Sequence, residues 1–260
     1  MGTILLSVLV IVAGYLSGSL CSAIIVSRLF SLPDPCSEGS KNPGATNVLR
    51  LAGKKYAALV LLGDMLKGVL PVLLARVLEL PDVIVGFTCL AAVVGHMYPV
   101  FFGFKGGKGV ATAFGAFLAL HFLMGIVLIA TWLLIANISR YSSLASIITI
   151  TLAPLYAIVS TGNMACFPAL IIITVLVLYQ HRNNVVRLID GQEPELRLRH
   201  KQLSDLTDDI LKKSIADDME PSDTIQVECD IPVAAQSEPL PAAKPAAPKR
   251  TRKKKELPAE

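Results

Sequence analysis

Long apolar runs alternate with short polar stretches along the first 180 residues, and the lengths of the runs carry the first conclusion. Stretches at 56–79, 82–102, 109–120, 121–138, 143–160 and 163–180 are apolar around the whole helical circumference, the pattern of helices surrounded by lipid rather than of amphipathic helices on a soluble core. A further apolar stretch runs from the start of the chain to Phe30. It is too long for a signal-peptide core and no basic residue precedes it, so it reads as a first membrane helix with no cleaved export signal. The 30 residues 109–138 would form a helix of about 45 Å against a hydrocarbon core of roughly 30 Å. A division near Leu120-His121 gives a short helix and a full one. The expected fold is therefore an all-α, polytopic integral membrane protein of about seven transmembrane helices, with six as the alternative if 109–138 is one tilted span.

Composition divides the chain in two. With 53% hydrophobic residues and a mean hydropathy of +0.59 over 260 residues, one soluble domain is excluded. Residues 1–190 carry 12 Lys+Arg against 6 Asp+Glu, and residues 191–260 carry 12 against 14. The first part reads as a membrane-embedded domain and the second as a charged, largely disordered tail that cannot bury enough apolar surface to order itself. The division near Leu120 gathers Arg28, Lys41, Arg50, Lys54, Lys55, Lys105, Lys108, Arg140, Arg182 and Arg187 on one side of the membrane. By the positive-inside rule that side is cytoplasmic, with the N-terminus outside and the C-terminus inside. Five cysteines without CxxC spacing indicate neither a disulfide framework nor a zinc site, and no metal or cofactor is expected.

Four polar clusters fall on the cytoplasmic side in this topology. The string Gly103-Phe104-Lys105-Gly106-Gly107-Lys108-Gly109 combines charge with glycines that let backbone N–H groups approach an anion, as in phosphate-binding nests. Gly39-Ser40-Lys41-Asn42-Pro43-Gly44-Ala45-Thr46-Asn47, continuing to Arg50, supplies hydroxyls, amides and a guanidinium suited to a phosphoryl group. The others are Ser139-Arg140-Tyr141-Ser142-Ser143 and His181-Arg182-Asn183-Asn184. His181 and Asn184, three apart, share one helical face. Each stretch alone is also readable as a polar turn, a helix cap or a juxtamembrane anchor. Their convergence on one side favours a site for phosphorylated ligands. Asp64 and Lys67 lie inside an apolar span, where a buried pair that fixes helix packing is the expected role.

These residues also carry a resemblance. Gly39-Ser40, Asn42 to Asn47, Gly63-Asp64 with Lys67-Gly68, Gly95-His96-Met97-Tyr98-Pro99-Val100, Phe104 to Thr112, and His181-Arg182 with Asn184 are similar to the motifs of the acyl-phosphate glycerol-3-phosphate acyltransferases, the PlsY type of bacterial membrane enzyme, over residues 3–193. The resemblance implies transfer of a fatty acyl group from acyl phosphate to glycerol 3-phosphate, forming lysophosphatidic acid and phosphate at the entrance to phospholipid synthesis. It also implies a site facing the cytoplasm from the bacterial inner membrane, and places Ser40, Arg50, Lys105, Ser143, His181 and Asn184 at substrate-binding and active-site positions. Lys41 departs from the family, which often has Gly there. In this reading Lys105, His181 and Asn184 are catalytic, and Ser40, Arg50, Gly106, Gly107 and Ser143 bind substrate. Proton transfer is expected to be substrate-assisted, with His181 mainly a ligand. No GxSxG elbow is present, which argues against a serine acyl-enzyme.

The competing class is a transporter or channel for phosphate-type anions, for which repeated halves and a midplane site would be expected. Neither is legible. His200 and Asp205 match an HxxxxD acyltransferase pattern, but in a segment with no hydrophobic core. Six of the seven residues 249–255 are basic. Beside a membrane they suit anionic lipid headgroups, and no nucleic-acid partner is expected.

Overall fold

Residues 1–162 and 164–196 are described by the structure, a computed structural model, and they contain helices and no strand. The helices are α1 (Gly2–Gly18), α2 (Ser22–Leu29), α3 (Ala45–Ala52), α4 (Lys54–Val77), α5 (Asp82–Met97), α6 (Val110–Leu120), α7 (Phe122–Ser139), α8 (Ser142–Thr161), α9 (Phe167–Gln180) and α10 (Arg182–Ile189), with one 3₁₀ turn at Val100–Phe102. The segments expected from the apolar pattern recur within a few residues at either end. The HxxxxD pattern and the basic run at 249–255 lie outside the described residues.

Four helical segments, α4, α5 continued through the 3₁₀ turn to Phe102, α7 and α8, are long and apolar enough to cross a bilayer; the count becomes six when the bent pairs α1–α2 and α9–α10 are each one span. The expectation of about seven spans meets its limit at α6. Its 11 residues reach only about 16 Å, so α6 cannot cross a bilayer alone. The division at Leu120-His121 is nevertheless present, because His121 adopts an extended conformation and its Nδ1 accepts the Met124 N–H at 3.4 Å as an N-cap.

A broken helix in lipid leaves carbonyls without donors, which is costly where no water can reach them. Helix α4 supplies the remedy at two breaks. Lys67 Nζ donates to Leu20 O at 2.7 Å where α1 turns into α2, and Arg76 Nη2 donates to Leu120 O where α6 gives way to α7. The bends of 43° in α1–α2 and 53° in α9–α10 thus sit beside polar groups rather than at random positions.

The centre of the bundle is closed by small residues and aliphatic packing. A Cβ on Gly18 would collide with the Ala92 backbone of α5, and one on Gly115 with the Met65 carbonyl of α4, so α1–α5 and α4–α6 approach closely. Val72, Val93, Phe117, Leu128, Ile150 and Ile173 fill the space between. Leu133, Leu134 and Ile138 of α7 remain on the outside, as a lipid-facing helix requires.

The chain does not leave this body at residue 190. Leu196 is buried beside Ala136 and Ala145, and its N–H donates to Arg140 O at 2.6 Å. Residues 190–196 form a strap across the end of the bundle that holds the polar loops.

Candidate active site

The first loop is organised from its helix. Asn47, buried on α3, donates from Nδ2 to Pro35 O and Glu38 O, each at 3.0 Å, and its Oδ1 accepts the Ser40 N–H at 2.9 Å. Gly39 has φ +62° and sits where a Cβ would strike that Asn47 oxygen, so both its conformation and its surroundings require glycine. Lys41, at φ +56°, also occupies left-handed space, which accounts for a position where glycine is the easier residue. Ser40 ends up exposed at the rim. Thr46 and Ser142 meet through their hydroxyls at 3.2 Å, tying this loop to the start of α8.

The glycine-rich string folds back over the end of α5. The Gly107 N–H donates to His96 O at 3.1 Å, and a Cβ on Gly106 would collide with the carbonyls of His96 and Met97. These glycines are therefore demanded by the protein's own packing, in addition to the access for an anion read from the sequence. Gly109 then opens α6 without a side-chain cap, so the first amides of that helix face the loop.

The string's two lysines have different fates. Lys105, expected as the charged ligand, is exposed, and its side chain makes no hydrogen bond or ion pair among the described residues. Lys108 takes the central place, its Nζ donating to Asn184 Oδ1. The difference follows from local geometry: Lys105 still belongs to the exposed turn that begins at Gly103, whereas Lys108 comes after Gly107 has been pinned beneath His96.

From Lys108 the network continues outward. Asn184 Nδ2 donates to Glu193 Oε1 at 2.7 Å and Arg187 Nε to Glu193 Oε2 at 2.8 Å, while Arg50 Nη2 donates to Pro194 O at 3.1 Å. Burial pushes the Lys108 ammonium down to about 8, with Arg187 and Arg50 pushing the same way against Glu193. Burial pushes the Glu193 carboxyl up, but the polar contacts of Ser143, Asn184 and Arg187 outweigh it and hold the group below the usual carboxylate range. Three permanent or near-permanent cations thus share one carboxylate.

His181 caps the bend between α9 and α10. Its Nδ1 lies 2.8 Å from Val177 O, a contact a neutral imidazole makes by donating from Nδ1, which leaves Nε2 as an acceptor. His181, Asn184 and Ser143 are all buried, and Asn184 and Ser143 both adjoin Glu193. The structure therefore brings Arg50, Asn184 and Ser143 together with Lys108, sets His181 one helical turn from Asn184, and leaves Ser40 and Lys105 at the rim. Among the described residues no three His, Cys, Asp or Glu side chains gather as a metal site would need.

Glu193 was missed by sequence reasoning because it sits beyond the last helix, where the composition already reads as tail. Its position shortly after a helix carrying His181, Asn184 and Arg187, with Gly191 providing a turn at φ +67°, is the signal that a return toward the bundle leaves.

A family model described as glycerol-3-phosphate acyltransferase matches residues 8–191. A glycerol-3-phosphate acyltransferase of Legionella pneumophila (strain Corby) is 60% identical over 201 residues, covering 77% of this chain and 73% of the relative. The enzyme of that name from Shewanella oneidensis is 48% identical over 77% of this chain and 98% of its own length. Among solved structures, a crystal structure of PlsY, an integral membrane glycerol 3-phosphate acyltransferase in its glycerol 3-phosphate form, superposes with a TM-score of 0.71 at 40% identity, covering 77% of this chain and 98% of that one. The lysophosphatidic acid form gives 0.68 at 41% identity, over 73% and 94%.

Proposed function

This chain belongs to the glycerol-3-phosphate acyltransferase family, and we propose from that premise that the cluster around Lys108 is where it binds its phosphorylated substrates. The protein is a bacterial integral membrane acyltransferase that acylates glycerol 3-phosphate, and its donor is an acyl phosphate, the donor of the PlsY type. The observation that carries the site is the imbalance of charge: Arg50, Lys108 and Arg187 surround the single carboxylate of Glu193, beside a helix N-terminus whose amides lack a side-chain cap. Such a surplus is stabilised by an incoming phosphate dianion.

The reaction follows from those groups. The primary hydroxyl of glycerol 3-phosphate attacks the acyl carbonyl, a new C–O ester bond forms, and the C–O bond to phosphate breaks. Phosphate is a stable leaving group, so the protein's tasks are to align the hydroxyl with the carbonyl carbon and to stabilise the oxyanion that develops there. Lys108 is the charged ligand in this reading, in place of Lys105, with Arg50, Ser143, Ser40 and the Gly106–Gly107 backbone contributing to the walls. The free Nε2 of His181 accepts from the secondary hydroxyl of glycerol 3-phosphate and Asn184 orients Lys108. The proton passes to a phosphate oxygen of the substrates. The basic loops face the cytoplasm, with the N-terminus outside, and the basic end of the tail meets anionic lipid headgroups.

The purified protein in detergent, given acyl phosphate, acyl-CoA and acyl carrier protein thioester in parallel with glycerol 3-phosphate, should use acyl phosphate alone and release one phosphate for each ester formed. Comparable turnover with acyl-CoA overturns the donor assignment. Full activity in Lys108→Ala overturns the site.

A further inference from the structure

A second charged group lies deeper in the bundle and, apart from the Gly106–Gly107 backbone, touches none of the residues assigned to substrate. Asp64 and Lys67, roughly 15 Å along α4, are almost fully buried, with Lys67 Nζ 2.8 Å from Asp64 Oδ1. His96, at the end of α5, is buried as well, and its Nδ1 stands 3.6 Å from the same carboxylate oxygen. The other edge of that imidazole is against the glycine loop: a Cβ on Gly107 would strike His96 Nε2, and the Gly107 N–H is held by His96 O. At the far end Lys67 Nζ caps Leu20 O at the α1–α2 break, and Ser17 Oγ donates to Lys67 O at 3.0 Å.

We propose that Lys67, Asp64 and His96 form a positioning chain that sets the Gly106–Gly107 segment, and through it the neighbouring Lys108, from a broken helix inside the membrane. A buried ion pair is weak evidence for stability, since apolar residues of similar volume commonly hold a protein equally well. An intramembrane charged pair kept for packing alone would not need an imidazole interposed between its carboxylate and a loop. Here the imidazole contacts the carboxylate with one edge and Gly107 with the other, while its own carbonyl fixes the Gly107 amide. The next residue is Lys108, so the angle of the His96 ring governs where the ammonium meets Asn184. These residues touch no substrate in this reading, which rests on the site assigned above.

The test compares the full chain with the double variant Asp64→Asn/Lys67→Met, which removes both buried charges together, and with His96→Asn, which keeps a donor near the Nδ1 position but removes the edge facing Gly107. Two readouts are taken: steady-state kinetics, and amide hydrogen exchange of the segment 103–109. The expected result is at least tenfold faster exchange in that segment, with exchange in α7 and α8 unchanged, and a KM for a phosphorylated substrate raised about tenfold while kcat changes less than threefold. A folded double variant with loop exchange and KM within twofold of the parent overturns the proposal. If the double variant does not fold, His96→Asn decides by the same criteria. Exchange reads the loop without turnover, so faster exchange in a parent inactive on acyl phosphate would leave the chain standing while removing the function assigned to the site.

Discussion

Two charged clusters occupy the same bundle, one at the end of the helices and one within α4 and α5, and they differ in how their charges balance. The inner group has one carboxylate, one ammonium and one imidazole, and its partners lie on the helices, in the α1–α2 break or in the loop resting on it. The outer group has one carboxylate for Lys108, Arg50 and Arg187, and the carboxylate arrives from a strap beyond the last helix. Burial explains the difference. Deep in lipid an uncompensated charge costs several kcal/mol, so the inner group must close on itself. At the rim, water and lipid headgroups tolerate a surplus of positive charge. In the proposed function that surplus is what a phosphorylated substrate uses.

The sharpest way to break this comparison is to remove the central cation of the outer group. Lys108→Ala should lower kcat/KM by two to three orders of magnitude, because loss of one preorganised donor at a developing oxyanion or phosphate costs about 3–4 kcal/mol. Circular dichroism should show the fold retained, since among the described residues the Lys108 side chain bonds to Asn184 alone. Glu193→Gln sharpens the comparison from the other side. A carboxamide cannot accept from both Asn184 and Arg187, so a charge-assisted hydrogen bond worth about 1.5–3 kcal/mol is lost, and the unfolding midpoint should drop in a thermal scan.

Acidity gives a smaller effect with a definite sign. Lys108 titrates near 8 in the free protein, and it carries its charge below that value. The profile of kcat/KM should therefore hold a plateau below about pH 8 and fall above it, toward tenfold per unit. In Lys108→Arg the alkaline limb should move beyond the measurable range even though the plateau is lower, because guanidinium stays charged. An unchanged limb in that variant assigns the titration to another group. The smallest effect belongs to Lys105→Ala, which should keep activity within about threefold at moderate salt, as expected of an exposed charge screened by ions. A loss of a hundredfold there would return Lys105 to the role that the sequence alone suggested.

The legibility of the molecule varied with the range of the interactions involved. Helix segments were readable because lipid demands long, unbroken apolar stretches and because polar loops have nowhere to sit inside it. The break at Leu120-His121 was readable from length taken together with the side on which a division there gathers the basic residues. The break after Gly18 was not, since residues 2–29 look continuously apolar and the donor that satisfies Leu20 O comes from Lys67, far along the chain. Within the site, Arg50, Ser143, His181 and Asn184 were recognisable by motif and were brought to one end of the bundle. The choice between Lys105 and Lys108 depended on how Gly107 is pinned under His96. Glu193 depended on a strap returning from a segment whose composition suggested a tail.

By itself the sequence determined the helical class, the membrane setting, the family and most of the residues proposed to face phosphate, because these rest on hydropathy, charge asymmetry and short motifs that act locally. Tertiary structure alone decided which lysine meets Asn184, which carboxylate adjoins that pair, and how the buried Asp64 reaches the glycine loop through His96. Those pairings join residues many positions apart. Only the packing of α4, α5, α6 and α10 converts their spacing along the chain into distances of a few ångströms, at which charge and hydrogen bonding act.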